Sequence, residues 1–295
     1  MVTEAFITLV FSRPRDPHAE PAFRHMVNEV LEAAGHLPAV IIPHFYDAMP
    51  GGLVFTYLRR LTTDIILLAP LYPRAAQLVL RANGLRYRLA RQTDDVPQRQ
   101  NQSDRRLWAF DYREYGSFEV LRNAVAALVA EYLQGAGSLA GERPLVEEIE
   151  EATRSRWYPV IDDEACVNCF ECLNFCLFGV FDVNTEGRVF TAQPDQCRPG
   201  CPACARVCPA GAIVFPLYPD PKIAGGDVVE EGQIIPLVDL KSGIGTVTTP
   251  QKPSVAGNSS QAPRPTGDRA DDKESHPPTK QTLQQWLCQA DDDAH

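Results

Sequence analysis

The chain has 295 residues, a formal net charge of −10 and 44% apolar residues. That length accommodates two modest domains, and the acidic balance excludes nucleic acid as the principal partner, because phosphate binding needs a basic surface. The most apolar run, Ile65 to Leu71, contains Pro70 and falls far short of the ~20 residues of a membrane span.

Met1 to Glu4 has no basic region, and the apolar run Ala5 to Phe11 is too short for a secretion signal. The expected setting is therefore cytoplasmic, where disulfides are disfavoured.

Residues 1–134 alternate strand and helix patterns. Ala5 to Phe11 predicts a buried strand, and Phe23, Met26, Val27, Val30 and Leu31 form one face of a helix that Gly35 ends. Ala39 to Ile42 predicts a second strand, the segment after Pro50 a helix through Arg60, Asp64 to Ala69 a third strand and Ala75 to Ala82 a short helix. Leu107 to Phe110 predicts a fourth strand, after which Ser117 caps a helix with Phe118, Leu121, Val125, Leu128, Val129 and Tyr132 inward. This order implies an α/β domain with a parallel sheet and right-handed crossovers, able to close its own core in a fragment ending near Gly137.

Such sheets hold ligands beyond the carboxyl ends of their strands. There the sequence places Ser12, Arg13, Arg15, Asp16, His44, Tyr46, Asp47, Tyr72, Arg74, Asp111, Tyr112 and Arg113. Arg13, Arg15, Tyr46, Arg74 and Arg113 suggest a rim for an anionic small molecule, against the plainer reading that strand-end loops are simply polar. Neither glycine-rich nucleotide motif follows the first strand.

Residues 135–156 read as a linker. Gln134-Gly135-Ala136-Gly137-Ser138 is flexible in composition, and Pro144 to Arg154 predicts a short acidic helix with Leu145, Ile149 and Ala152 on one side.

Residues 157–220 hold two cysteine blocks. Cys166, Cys169, Cys172 and Cys176 have the spacing C-x2-C-x2-C-x3-C. Cys197, Cys201, Cys204 and Cys208 have the spacing C-x3-C-x2-C-x3-C, with Pro209 next. Three thiolates within seven residues can wrap three irons of one cubane, while the fourth lies on the next turn and points away. Structural zinc takes paired C-x2-C knuckles separated by a longer loop, which three cysteines in a row at x2 spacing fit poorly. Tyr158 to Ile161 and Ala212 to Leu217 predict short strands that pair. Phe181 to Val183 and Arg188 to Phe190 flank a turn at Asn184-Thr185-Glu186-Gly187. So few strands need the metal centres as their core, so a metal-free form is expected to be unfolded.

Residues 221–295 read as an extended, largely disordered tail, with Ile234 to Leu240 a possible docked strand. Thr248 to Lys280 is rich in Pro, Ser, Gly and charge, and Leu283, Trp286 and Leu287 form a short helical stripe beside the odd cysteine, Cys288.

On these motifs, residues 157–218 resemble the ferredoxins with two [4Fe–4S] clusters. The resemblance implies a small α+β module in which each block's last cysteine ligates the other block's cluster. Cys166, Cys169, Cys172 and Cys208 would hold cluster 1, and Cys197, Cys201, Cys204 and Cys176 cluster 2. Leu177 replaces the proline usual after the first block, and Arg198-Pro199-Gly200 is one residue longer than the usual gap, which bears most on Cys197.

The opening strand with Ser12-Arg13-Pro14-Arg15-Asp16, and Ala69-Pro70-Leu71-Tyr72 after the third strand, resemble the small chelatases that insert cobalt, nickel or iron into tetrapyrroles. That family's two histidines are missing from Phe11-Ser12-Arg13 and from Tyr72 to Ala76, so the resemblance implies the fold without the activity.

The first functional expectation is an electron carrier serving redox partner proteins, its α/β domain binding a ligand or partner. The alternatives are a redox or tetrapyrrole-related enzyme whose substrate binds the α/β domain, and a regulator that senses iron or oxygen through cluster loss.

Overall fold

A computed structural model describes residues 7–35, 37–90, 105–136 and 146–226, all within one compact unit. The expectations for Ile234 to Leu240, Thr248 to Lys280, the Leu283–Trp286–Leu287 stripe and Cys288 lie outside these residues.

Six parallel strands form one sheet: β1 Ile7–Ser12, β2 Ala39–Ile42, β3 Asp64–Ala69, β4 Arg88–Leu89, β5 Arg106–Asp111 and β6 Val146–Glu148. Their order is β4-β5-β3-β1-β2-β6. Helices α1 Glu20–Ala34 and α4 Phe118–Ala136 share one face; α2 Leu53–Arg60 and α3 Pro73–Ala82 pack on the other. Strands covered on both faces must be apolar at consecutive positions, which is why Ile7–Ser12 and Asp64–Ala69 are buried throughout. The two-residue period divides them. Ile7, Leu9, Phe11, Ile66 and Leu68 pack with α1 and α4, whereas Val10, Ile65, Leu67 and Ala69 pack with α2 and α3.

The cysteine-bearing segment is built from two antiparallel pairs and two short helices. β7 Val160–Ile161 pairs β10 Ile213–Val214, and β8 Phe181–Val183 pairs β9 Val189–Thr191. The second pair turns at Asn184 to Gly187 as expected, with Gly187 at φ 74°. α5 Glu171–Phe175 and α6 Ala203–Val207 each carry one buried cysteine, Cys172 and Cys204. The segment repeats itself at an offset of 32 residues, which relates Cys172 to Cys204, Cys176 to Cys208 and Gly179 to Gly211, both of these glycines having positive φ.

One expectation, the short helix from Pro144 to Arg154, is corrected. Val146–Glu148 is not helical but adds in parallel to β2, with Ala39, Val40 and Ile41 opposite Val146, Glu147 and Glu148. An edge position explains this: it tolerates carboxylates, and Arg13 and Arg24 bind Glu148 there. Residues 149–156 are no helix either, but an irregular path pinned to the α/β domain. Glu151 accepts from the N–H groups of Met49 and Val54 at 2.8 and 3.0 Å, capping the amino end of α2. A fragment ending near Gly137 would therefore lose an edge strand and a helix cap. Directly after Asp220 the described residues end in a short helical turn. Pro221–Ala224 forms the helical turn α7, capped by the Asp220 carboxylate, and Ala224 is buried.

Replacing Glu151 with alanine strands two backbone donors, one of them, Val54 N–H, in the first turn of α2. Expected is a loss of about 1–2 kcal/mol in chemical denaturation of the whole chain. Unchanged stability would mean that the connection is not anchored by this cap.

Candidate functional site

The first three cysteines of block one wrap a tight loop. Cys166 N–H donates to Asp162 O at 2.9 Å, and Asn168 and Phe170 take left-handed backbone angles, φ 56° and 65°. Alternation of right- and left-handed residues turns successive N–H groups to one side, the arrangement that receives anions and iron–sulfur centres. Asn168 holds the loop to the hairpin: its amide donates to Gly187 O at 2.7 Å and accepts from Val189 N–H at 2.9 Å.

This loop opens onto an apolar cavity. Its sulfur lining comes from Cys166, Cys169 and Cys172, together with Cys208 from the other block. Ile161, Phe170, Val189 and Ile213 supply carbon around it. Ala212 N–H donates to Cys208 Sγ at 3.3 Å. Burial pushes the Cys172 thiol up to about 11, and neighbouring Cys166 and Cys208 add to it.

The remaining four cysteines form a second group. Cys197, Cys201, Cys204 and Cys176 lie within electrostatic range of one another. Burial pushes Cys197 up to about 12, reinforced by Cys201 and Cys176, and raises Cys204 further. The longer gap is taken up locally. Cys201 N–H donates to Arg198 O at 3.1 Å, and Gly200 at φ 79° takes up the extra residue in a turn. Leu177, in place of the usual proline, projects into solvent.

Among the described residues no three His, Cys, Asp or Glu side chains are placed to share one metal ion. The sulfurs of Cys166, Cys169, Cys172 and Cys208 line a space instead. The carbon lining and the Ala212 N–H bond to the Cys208 sulfur fit an iron–sulfur centre.

The second group abuts the α/β domain through residues that spacing did not flag. Tyr46 stacks on Tyr158 with centroids 4.4 Å apart and planes 16° apart. Tyr158 N–H donates to the Tyr46 hydroxyl, which donates to Tyr158 O, while the Tyr158 hydroxyl donates to Tyr46 O. Burial raises the Tyr46 hydroxyl well above its ordinary range, Tyr158 adds to this, and Cys197 is close enough to contribute. Arg156 is buried, stacks over Tyr158, and donates to Asp195 at 2.9 Å and to Ala48 O at 3.1 Å. Trp157 stacks on Phe215 and donates to Cys201 O at 3.1 Å. A Trp-Tyr pair directly before the first block is the one sequence signal that could have pointed to this joint.

The arginines of the rim each meet carboxylates of the chain. Arg13 pairs with Glu148 and Glu150, Arg15 with Asp47, Arg74 with Asp162 and Arg113 with Asp111. Tyr46 is committed to Tyr158. The pairs of Arg13 and Arg74 link the strand-end loops to the chain that follows.

His44 lies inside this rim, Nδ1 3.5 Å from Asp47 Oδ2 without a hydrogen bond. Burial pushes it down to about 4; Asp47 opposes this, and Arg15 and Arg113 assist. Its ordinary value is 6.5, so between pH 6.5 and 4 the unfolded chain takes a proton that the folded one refuses. Stability should therefore fall with falling pH in that window, by up to about 1.4 kcal/mol per pH unit. His44→Gln should flatten the melting temperature against pH there; an identical slope in both proteins would mean that His44 is not held neutral.

Comparison with known proteins finds similarity over segments the length of the cysteine module. The chain is 43% identical over 61 residues to an uncharacterized ferredoxin of Methanocaldococcus jannaschii, covering 20% of this chain and 41% of that protein. It is 38% identical over 55 residues to pyruvate synthase subunit PorD of the same organism, covering 19% and 62%. It is 48% identical over 65 residues to indolepyruvate oxidoreductase subunit IorA of Methanothermobacter marburgensis, covering 22% and 10%. The chain thus spans less than two thirds of each of these relatives. No family model matches the chain, and no solved structure matches it significantly. No helix among the described residues is long and apolar enough to cross a membrane. These similarities identify about sixty residues of the chain as a ferredoxin-type segment.

Proposed function

We propose that this protein transfers electrons through two [4Fe–4S] clusters, one held by Cys166, Cys169, Cys172 and Cys208, the other by Cys197, Cys201, Cys204 and Cys176. The observation that carries the proposal is the lining of one apolar cavity by three cysteines of the first block and the last of the second. Cys208 is 36 residues beyond Cys172, and its presence there is what crossed ligation requires. Such clusters supply one-electron exchange without bond making. The protein's part is to hold each sulfur, to keep the surroundings dry and to aim N–H groups at the sulfurs.

Redox proteins are the proposed partners, and the names of two relatives, subunits of oxidoreductases, support this. The α/β domain, chelatase-like in its strand-end residues, serves in this reading as the body on which the second cysteine group is mounted.

Two tests follow. Anaerobically purified protein should contain about eight irons and eight sulfides per chain, by the one-iron-per-cysteine rule for cubanes. Cys176→Ser should damage the centre held by the second block although Cys176 belongs to the first. In that variant electron paramagnetic resonance of the reduced protein should keep one unaltered centre. Loss of both block-one features with block two intact would refute the crossed assignment, and zinc without sulfide would refute the function.

A further inference from the structure

Two consecutive residues of the connection each hold one stretch of the second cysteine block. Arg156 holds the turn that presents Cys197. Its Nε donates to Asp195 Oδ1 at 2.9 Å, Asp195 lies in the turn Pro194–Gln196, and Cys197 N–H closes that turn on Pro194 O at 3.2 Å. The same guanidinium donates to Ala48 O at 3.1 Å. The Arg156 backbone is clamped on both sides: its N–H donates to Asp47 at 2.8 Å, and its carbonyl accepts from Arg15 at 2.7 Å. Only 2% of the Arg156 side chain is exposed. Trp157 holds the next stretch. Its indole N–H donates to Cys201 O at 3.1 Å, while its ring lies on Phe215 with centroids 5.3 Å and planes 20° apart.

The first block is held differently. Its loop is fastened from within the cysteine segment, by Asn168 to the hairpin. Its charged ties to the α/β domain run through Asp162, Asp163 and Glu164, and in the pairs with Arg81 Asp163 and Glu164 are 43% and 73% exposed. Exposed pairs hold position weakly. A buried guanidinium bonded on two sides does not move without stranding its partners. The same contrast marks the cysteines: Cys169 is exposed, whereas its counterpart by the 32-residue offset, Cys201, is half-buried.

The two residues differ in what they do to added charge. Reduction puts one more negative charge on the sulfur-bound centre. Arg156 is a cation fixed out of water at the Cys197 turn, where charge is poorly screened, so it favours the reduced state. Asp195 opposes it, and the more exposed Arg154 shares that carboxylate. Trp157 acts in the other direction. Its ring keeps water from the Cys201 stretch, and water would stabilise the added charge.

We propose that Arg156 and Trp157 are positioning residues of the Cys197–Cys201–Cys204–Cys176 centre and set its potential from outside the cysteine blocks, Arg156 raising it and Trp157 lowering it. The inference rests on the proposed electron-transfer function. Each residue acts through another group: Arg156 through Asp195 and the Cys197 turn, Trp157 through the Cys201 carbonyl. Because Arg156 is bound to Ala48 and Asp47, the α/β domain takes part in fixing the second centre, whereas the first is fixed by its own hairpin.

The test is a potentiometric titration of the anaerobic full-length holoprotein with dithionite, followed by electron paramagnetic resonance. Features altered in Cys169→Ser mark the first centre and those altered in Cys201→Ser the second. Arg156→Gln should lower the reduction constant of the second centre about tenfold, a fall of about 59 mV for one electron. Arg156→Lys keeps the charge and should recover most of that shift. Trp157→Leu should raise the potential of the second centre, and Trp157→Phe, which keeps the ring on Phe215, should raise it less. The first centre should change less than about twofold in all four proteins. Iron and sulfide content equal to wild type certifies each variant. If Arg156→Gln loses iron, loss confined to the second centre and restored by Arg156→Lys bears the positioning role out. Loss from both centres, or loss that lysine does not restore, overturns it. A rise in Arg156→Gln would mean that Arg156 only fills space against water, which also overturns the proposal. So does an unchanged second centre in cluster-replete Arg156→Gln and Trp157→Leu, or an equal shift at both centres, and each of these leaves the function intact. A chain lacking reducible clusters overturns the function first, and this inference with it.

Discussion

The Tyr46–Tyr158 stack is the joint on which the arrangement depends. Tyr46 follows β2 and Tyr158 precedes β7, so the pair fastens the carboxyl edge of the parallel sheet to the first strand of the cysteine segment. Two buried hydroxyls are costly without partners, and here each finds one on the other residue's backbone. The stack also gathers charge. Asp47 receives Arg15 and the N–H of Arg156, and the Arg156 side chain continues to Asp195, two residues before Cys197. Removing one member of such a buried set strands the others, so position rather than net attraction is what the set secures.

The joint occupies the edge where an open α/β sheet ordinarily receives its ligand. Glu148 and Glu150 meet Arg13, Asp162 meets Arg74, and Asp162, Asp163 and Glu164 meet Arg81. These carboxylates all come from the chain after the α/β domain's last long helix. Along this edge Arg13, Arg74 and Arg81 meet carboxylates of the chain that follows the α/β domain.

What was legible in the sequence was local. Strands β1, β2, β3 and β5 announce themselves through runs of apolar residues, and the cysteine blocks through spacing. The β6 strand does not: Val146-Glu147-Glu148 has one apolar residue, and an edge position does not demand more. The partners of Arg13 were hidden for a different reason, being 135 and 137 residues away. Nothing in the sequence tells an arginine awaiting a ligand from one awaiting a distant carboxylate. The left-handed Asn168 agrees with asparagine's known tolerance, whereas Phe170 in the same region is a costly conformation for an aromatic residue, held by the loop around it.

The connection between the two parts changes how they are coupled. A flexible tether would make the second cysteine group merely concentrated near the α/β domain. Residues 146–158 instead hydrogen-bond almost continuously: β6 in the sheet, Ile149 N–H to Ile41 O, Glu151 on α2, Arg156 on Asp47 and Ala48, Tyr158 on Tyr46. Ordering such a stretch costs about 1–2 kcal/mol per residue in backbone entropy, and these bonds together with the buried aromatic pair offset it. The result is a fixed separation in place of a distribution. One cysteine group is held against the α/β domain, whereas Cys169 of the other is exposed among the described residues.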